Sequence, residues 1–207
     1  MDTFVYKDHK KLRCGYTTGT CAAIAAQGAV RFLLTGSWKE TEEIMTPKGI
    51  PVCVSLEEKT SGDSWAECAV RKDAGDDYDV TNGILVYARA EFVKDKNFYE
   101  KVQMSHLESS GFGVAGEKPG LSPENQKQQK KANVAHQKEA LPESLVRIDG
   151  GIGIGRITKS GLDQPVGAAA INSVPRKMIR DAVYELLEEA GELRLVSITI
   201  SVPAGVE

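Results

Sequence analysis

Between Leu12 and Ala23 the chain runs Leu-Arg-Cys-Gly-Tyr-Thr-Thr-Gly-Thr-Cys-Ala-Ala, a polar turn rich in glycine and threonine that leads straight into an alanine-rich helical pattern. Gly15 and Gly19 open backbone angles closed to other residues, and Thr17, Thr18 and Thr20 bring hydroxyls to where the first helical N–H groups lack internal partners. A helix start of this kind attracts negative charge, so the segment is either a well-capped helix or a binding turn. From residue 20 to 34, Ile24, Ala25, Gly28, Ala29, Phe32 and Leu33 recur at helical spacing and Gly36 supplies the stop. The small residues Ala22, Ala23, Ala25, Ala26 and Gly28 suit close packing against a sheet.

Punctuation and period place the remaining elements. Residues 43–46 and 50–56 flank Pro47-Lys48-Gly49 and predict a hairpin. Alternation predicts strands over 64–71, 84–93, 145–148 and 193–202, and a helix over 174–190 with Pro175 in its first turn. The expectation is an α+β fold, a mixed sheet of about five or six strands with two main helices packed on one face.

Composition narrows the function classes. A chain of 207 residues with 41% hydrophobic content can bury a core in one domain, 1–207, carrying a decorated loop. No apolar run approaches the roughly 20 residues that span a bilayer, and residues 1–7 lack a signal-peptide core, which predicts a cytoplasmic protein with no membrane partner. A net charge of -3 gives no pull toward nucleic acid. Cys14, Cys21, Cys53 and Cys68 lack zinc-type spacing; at least three are expected as small core residues, with Cys14 beside the helix start as the one suited to a chemical role. His9, His106 and His136 are scattered, so no metal site is expected. From about 105 to 142 the chain turns polar, with Glu-Asn-Gln-Lys-Gln-Gln-Lys-Lys at 124–131, and is expected to be a mobile insertion.

Two further stretches carry chemistry. Four aspartates, Asp73, Asp76, Asp77 and Asp79, crowd the turn that continues through Thr81 and Asn82; Arg71 and Lys72, turn N–H groups, substrate contact or a bound cation are alternative compensations. Gly151, Gly153 and Gly155 follow the strand at 145–148 and let backbone approach a ligand, although the dinucleotide fingerprint spacing is absent. Arg156, Lys159, Arg176, Lys177 and Arg180 follow, a cluster suited to carboxylates or phosphates, with Lys177 read as a solvated helix residue.

Several of these strings, in order, resemble the cobalt-precorrin-5B C-1-methyltransferase (CbiD) family of anaerobic cobalamin biosynthesis. They are Arg13 to Ala22, Thr46-Pro47-Lys48-Gly49, Lys72 to Asp77, Asp79 to Gly83, Gly150 to Arg156, Thr158-Lys159, Gly161-Leu162, Pro165-Val166-Gly167, Ala170-Ile171-Asn172 and Val174-Pro175-Arg176. The match spans nearly everything outside the insertion. Family members continue into a second, α/β half, so this chain resembles an N-terminal portion.

The resemblance implies methyl transfer from S-adenosylmethionine to C-1 of a cobalt-bearing corrinoid, on a decorated fold like domain 2 of ribosomal protein S5. It offers Asp76, Asp77 and Asp79 as catalytic or donor-side candidates. Candidate substrate- or cofactor-binding residues are Arg13, Thr17, Thr18, Gly19, Thr20, Asp73, Thr81, Asn82, Gly151, Gly153, Gly155, Arg156, Lys159, Arg176 and Arg180, with cobalt arriving in the substrate and no protein metal site. A homo-oligomer is compatible with it. The alternatives are a noncatalytic tetrapyrrole-binding module and a small-molecule kinase or phosphate binder, the last without a Gly-Lys-Ser/Thr loop. The helix start at 17–20 is expected to share a cleft with the aspartate turn.

Overall fold

Two helices lie against a five-stranded sheet, and small side chains set how closely the first of them approaches. The computed structural model describes residues 4–7, 10–94, 145–161 and 163–206. They belong to one of two units, Met1–Lys94 with Glu143–Glu207. The insertion expected at 105–142 lies outside the described residues.

The strands β1 (Phe4–Lys7) and β2 (Lys10–Arg13) pair antiparallel and lead to helix α1 (Thr18–Thr35). The hairpin β3 (Thr41–Met45) and β4 (Pro51–Ser55) follows as a separate two-stranded sheet. Strands β5 (Glu57–Ser61), β6 (Trp65–Arg71), β7 (Leu85–Phe92) and β8 (Val146–Gly150) precede helix α2 (Ser173–Ala190), and β9 (Val196–Ser201) closes the main sheet before a short 3-10 turn at Pro203–Val206. The order is β5-β6-β7-β9-β8, antiparallel except for β8 and β9.

The alternation of β6 and β7 explains the layer. Ala66, Cys68 and Val70 stand opposite Ala90, Ala88 and Val86, and all six are buried. The Cys68 thiol donates to the Ala25 carbonyl of α1 at 3.2 Å. A methyl group added at Gly28 would come within 2.5 Å of the Leu56 side chain and 3.3 Å of the Cys68 sulfur, so a larger residue there obliges these side chains to repack. α2 buries the stripe Ile179, Ala182, Val183, Leu186 and Leu187, an i, i+3, i+4, i+7, i+8 pattern, beside α1 and over β8.

Both helices are closed at their ends. The Thr17 hydroxyl accepts the Thr20 N–H at 3.1 Å, and Gly36, at φ 71°, closes α1 onto the Phe32 carbonyl. Asn172 makes no side-chain cap at α2; the Asp163 carboxylate instead accepts from the Ser173 N–H and hydroxyl.

Three expectations change. The main sheet has five strands, within the expected five or six, but the hairpin at 43–56 stands outside it, tied to α1 by the Arg31–Glu42 ion pair at 2.5 Å. The run at 50–56 ends at Ser55; Leu56 is buried and the chain enters β5, whose charged Glu-Glu-Lys-Thr-Ser sequence hides a strand held by β6 through an irregular register. Only Cys21 and Cys68 are core cysteines, because Cys53 sits on an uncovered strand face and Cys14 is half-buried. Burial pushes both core thiols up to about 12.

Candidate functional site

β6, β9 and β8 point the same way, so their C-terminal ends, Arg71, Ser201 and Gly150, share one edge of the sheet. The starts of both helices meet there. The Tyr16 N–H donates to the Asp73 carbonyl at 2.8 Å, and a Cβ on Gly19 would sit 2.8 Å from the Pro175 ring of α2.

The aspartate turn is pinned by backbone contact that only glycine permits. A Cβ on Gly15 would lie 2.2 Å from the Ala74 carbonyl carbon, and one on Gly75, at φ 67°, 2.3 Å from the Arg13 carbonyl oxygen. Side chains then lock it. Arg13 grips Asp73 with two bonds of 2.5 and 2.7 Å, while its own N–H donates to Asp76 at 2.7 Å. Asn82 accepts the Ala74 N–H at 2.9 Å.

Lys72 is the buried cation of the turn, only 7% exposed, and donates to the Asp79 carboxylate and the Thr81 hydroxyl. Asp79 also accepts the Thr81 N–H at 2.8 Å. The Lys72 ammonium, ahead of the two Thr81 donors, holds the Asp79 carboxyl well below the usual carboxylate range. The Arg13 guanidinium and then the Gly75 N–H do the same for Asp73. Asp77 is exposed and has no side-chain partner among the described residues. Of the four aspartates, it alone keeps its carboxylate for something else. Tyr16 donates to the Arg71 carbonyl at 3.0 Å, and burial foremost lifts its hydroxyl to about 12.

These groups share a cleft of about 700 Å³, with Arg13, Thr17, Lys72, Asp76 and Asp77 on one side and Val174 and Met178 of α2 on the other. Ligand sites commonly fall in this size range. Thr18, Gly19 and Asp79 also line it, so the α1 start and the aspartate turn do border one space. A second cavity of about 810 Å³ lies between Met45 and Pro47 of the β3 hairpin and α2, and adjoins the first through Val174 and Met178. The larger cavity holds none of the threonine and aspartate motifs; the smaller one holds them and is the candidate site.

The glycine loop at 150–156 sits differently. A Cβ on Gly151 would come within 2.4 Å of the Ser201 hydroxyl, and one on Gly153, at φ 74°, within 1.8 Å of the Val202 carbonyl oxygen. The close backbone approach expected toward a ligand is made at these two positions toward the protein's own β9 end. Gly155 alone of the three faces open space. Arg156 pairs with Asp149 at 2.5 Å, both well exposed, and this hydrogen bond foremost lowers the Asp149 carboxyl. Arg176 donates to the carbonyls of Ile171, Ile148 and Ala169 at 2.8, 3.0 and 3.1 Å, so its expected carboxylate-binding donors fasten the 169–171 segment to β8. Lys159 is exposed without an ion-pair partner among the described residues. Arg180 is half-buried, with its Nε enclosed and unbonded.

Met178 was not expected at the site, whereas Lys72, expected as one compensation for the aspartates, does pair with Asp79. Lys72 was legible in register, since Ala66, Cys68, Val70 and residue 72 continue one inward-facing row. Among the described residues, no group of three His, Cys, Asp or Glu side chains is arranged to hold a metal, and no helix is long and apolar enough to cross a membrane.

The sequence profile of the CbiD family matches residues 5–128 and 122–207. A cobalt-precorrin-5B C(1)-methyltransferase of Clostridioides difficile is 36% identical over 212 residues, covering 99% of this chain and 46% of that protein. One from Thermoanaerobacter sp. is 35% identical, covering 99% and 42%. The crystal structure of a cobalamin biosynthesis protein (cbiD) from Archaeoglobus fulgidus superposes with a TM-score of 0.53 at 23% identity, over 97% of this chain and 47% of that one, a likeness of fold. The chain spans just under half the length of these relatives.

Proposed function

The chain belongs to the CbiD family, and from that premise we propose that it serves the S-adenosylmethionine-dependent methylation of C-1 of cobalt-precorrin-5B. The observation that carries this reading is the convergence of the α1 start, the aspartate turn and the α2 start on one cleft of about 700 Å³. The donor set there suits S-adenosylmethionine: Asp77 offers an uncommitted carboxylate to ribose hydroxyls or a cation, and Thr18 offers a hydroxyl at the same wall.

S-adenosylmethionine, when bound, would supply an electrophilic methyl group to a nucleophilic C-1 and would leave as S-adenosylhomocysteine. The chain's own part is alignment and exclusion of water. Lys72 and Arg13 hold the aspartate turn rigid, so Asp77 and Asp76 keep their places without reorganisation. Val174 and Met178 supply apolar wall beside them. No side chain is required as a covalent nucleophile.

The parallel β8–β9 pair, joined through α2, supports reading the fold as ribosomal-protein-S5-domain-2-like. We place the protein in the cytoplasm, where the donor is made, and leave room for a homo-oligomer. Mass spectrometry after incubation with S-adenosylmethionine and cobalt-precorrin-5B tests the function. A gain of one methyl group is expected. Corrinoid binding without that gain favours a noncatalytic tetrapyrrole-binding module.

A further inference from the structure

The charges at this end of the molecule are unevenly spent. The cleft beside α1 is lined by the carboxylates Asp76, Asp77 and Asp79 against the cations Arg13 and Lys72, and Arg13 is already held by Asp73. The adjoining cavity is lined by Glu43, Asp181 and Glu185 against Lys177, which pairs with Asp181. Both cavities therefore carry a surplus of carboxylate. Either would repel a ligand bearing several carboxylates and accept a cationic one.

The surplus cation lies on the other flank of α2, toward β8. Arg156, Arg176 and Arg180 are close enough that Arg156 and Arg180 both act electrostatically on Arg176. Two carboxylates face the same group, and each is engaged: Asp149 by Arg156 and Asp163 by the Ser173 N–H and hydroxyl. Arg176 spends its donors on three backbone carbonyls. Arg180, one turn further along α2, makes no ion pair among the described residues and buries an unbonded Nε. Arg180 is half-buried beside Arg176, with its Nε enclosed and unbonded and no carboxylate on its remaining donors among the described residues, an arrangement that favours an incoming anion.

We propose that Arg180 is the anchor for a peripheral carboxylate of the corrinoid, so that the macrocycle docks on the β8 flank of α2 and the cleft beside α1 is left to the methyl donor. This rests on the methyltransferase reading and adds the sidedness of its two ligands. Arg176 acts here as a positioning residue: it fastens the 169–171 segment to β8 and holds the surface against which Arg180 stands. Gly155, Ile152 and Val166 are exposed on the segments between β8 and residue 169, offering open and apolar surface to a flat ring.

Calorimetric titration of the 207-residue chain and of Arg180→Gln and Arg180→Lys, with cobalt-precorrin-5B and separately with S-adenosylhomocysteine, tests the assignment. Arg180→Gln is expected to lose roughly ten- to a hundred-fold in corrinoid affinity, the range for a hydrogen-bonded charged contact, with S-adenosylhomocysteine affinity unchanged. Arg180→Lys should recover part of the loss, since charge returns without the planar fork. The wild-type corrinoid affinity should fall with added salt and that slope should flatten in Arg180→Gln, which a merely structural arginine would not produce. Unchanged corrinoid affinity in Arg180→Gln, or a selective loss of S-adenosylhomocysteine, overturns the sidedness while the methyltransferase reading stands. Wild-type chain that binds neither ligand overturns both.

Discussion

The aspartate turn after β6 and the glycine loop after β8 leave the same edge of the sheet, yet they spend their residues in opposite ways. In the aspartate turn the charge is turned inward: Arg13 holds Asp73, Lys72 holds Asp79, and Asp76 takes a backbone N–H. In the glycine loop the backbone freedom is turned inward, with Gly151 and Gly153 pressed against the end of β9. What each keeps for a ligand is the complement of what it spent: one carboxylate, Asp77, beside α1, and surplus cation, Lys159 and Arg180, beyond the glycine loop. Residue types that advertise binding are in large part the means by which the loops hold themselves.

The contrast can be broken most forcefully at the glycines. Gly75→Ala should cost about 3 kcal/mol or more, because its Cβ would meet the Arg13 carbonyl oxygen at 2.3 Å with φ at 67°. Gly167→Ala, at φ 88° with nothing within 4 Å, should cost only about 1–2 kcal/mol for the left-handed backbone. Urea midpoints at constant m would measure both, and equal costs would show that the contact at Gly75 is not the constraint.

Lys72→Met comes next, at about 2–3 kcal/mol. Removing one partner of a fully buried pair costs about 3–5 kcal/mol, and Asp79, at 32% side-chain exposure, recovers some hydration. The same variant sharpens the acid response. Asp73 and Asp79 have folded-state pKa values below the ordinary aspartate value, so their stabilisation is fully present above about 3.9 and is lost as pH falls through the lower folded values. Wild-type stability should therefore drop in that acid window, and Lys72→Met should show a shallower drop; identical acid limbs would remove Lys72 as the cause. The smallest effect is expected at Arg156→Ala. Its pair with Asp149 is 47% and 56% exposed, and the thermal unfolding midpoint should scarcely move.

Much of the fold was legible. The helix expected at 20–34 is Thr18–Thr35, that at 174–190 is Ser173–Ala190, and the strands at 64–71 and 84–93 are Trp65–Arg71 and Leu85–Phe92. In each, apolar period and end residues agree. Of the elements missed, β1 is only four residues long although Phe, Val and Tyr favour a strand, while β2 and β5 carry lysines or glutamates and become strands by pairing with a neighbour rather than by local preference. At the site, the α1 start and the aspartate turn were legible as polar and glycine-marked. Arg176 was not: a cation on a helix looks the same in sequence whether it faces carboxylates or three carbonyls of its own backbone.

Residue order and size suffice for the family, the two helices, the small-residue seam that draws α1 against β6 and β7, and the glycines at 15 and 75 without which the aspartate turn cannot close on Arg13. These follow from covalent size and period, which a linear string carries. Which charges cancel is settled by folding. Arg13 meets Asp73 across 60 residues and Arg176 meets the Ile148 carbonyl across 28. A charge's meaning depends on the distance to its partner and on the water excluded between them, and both are set only when the chain has folded.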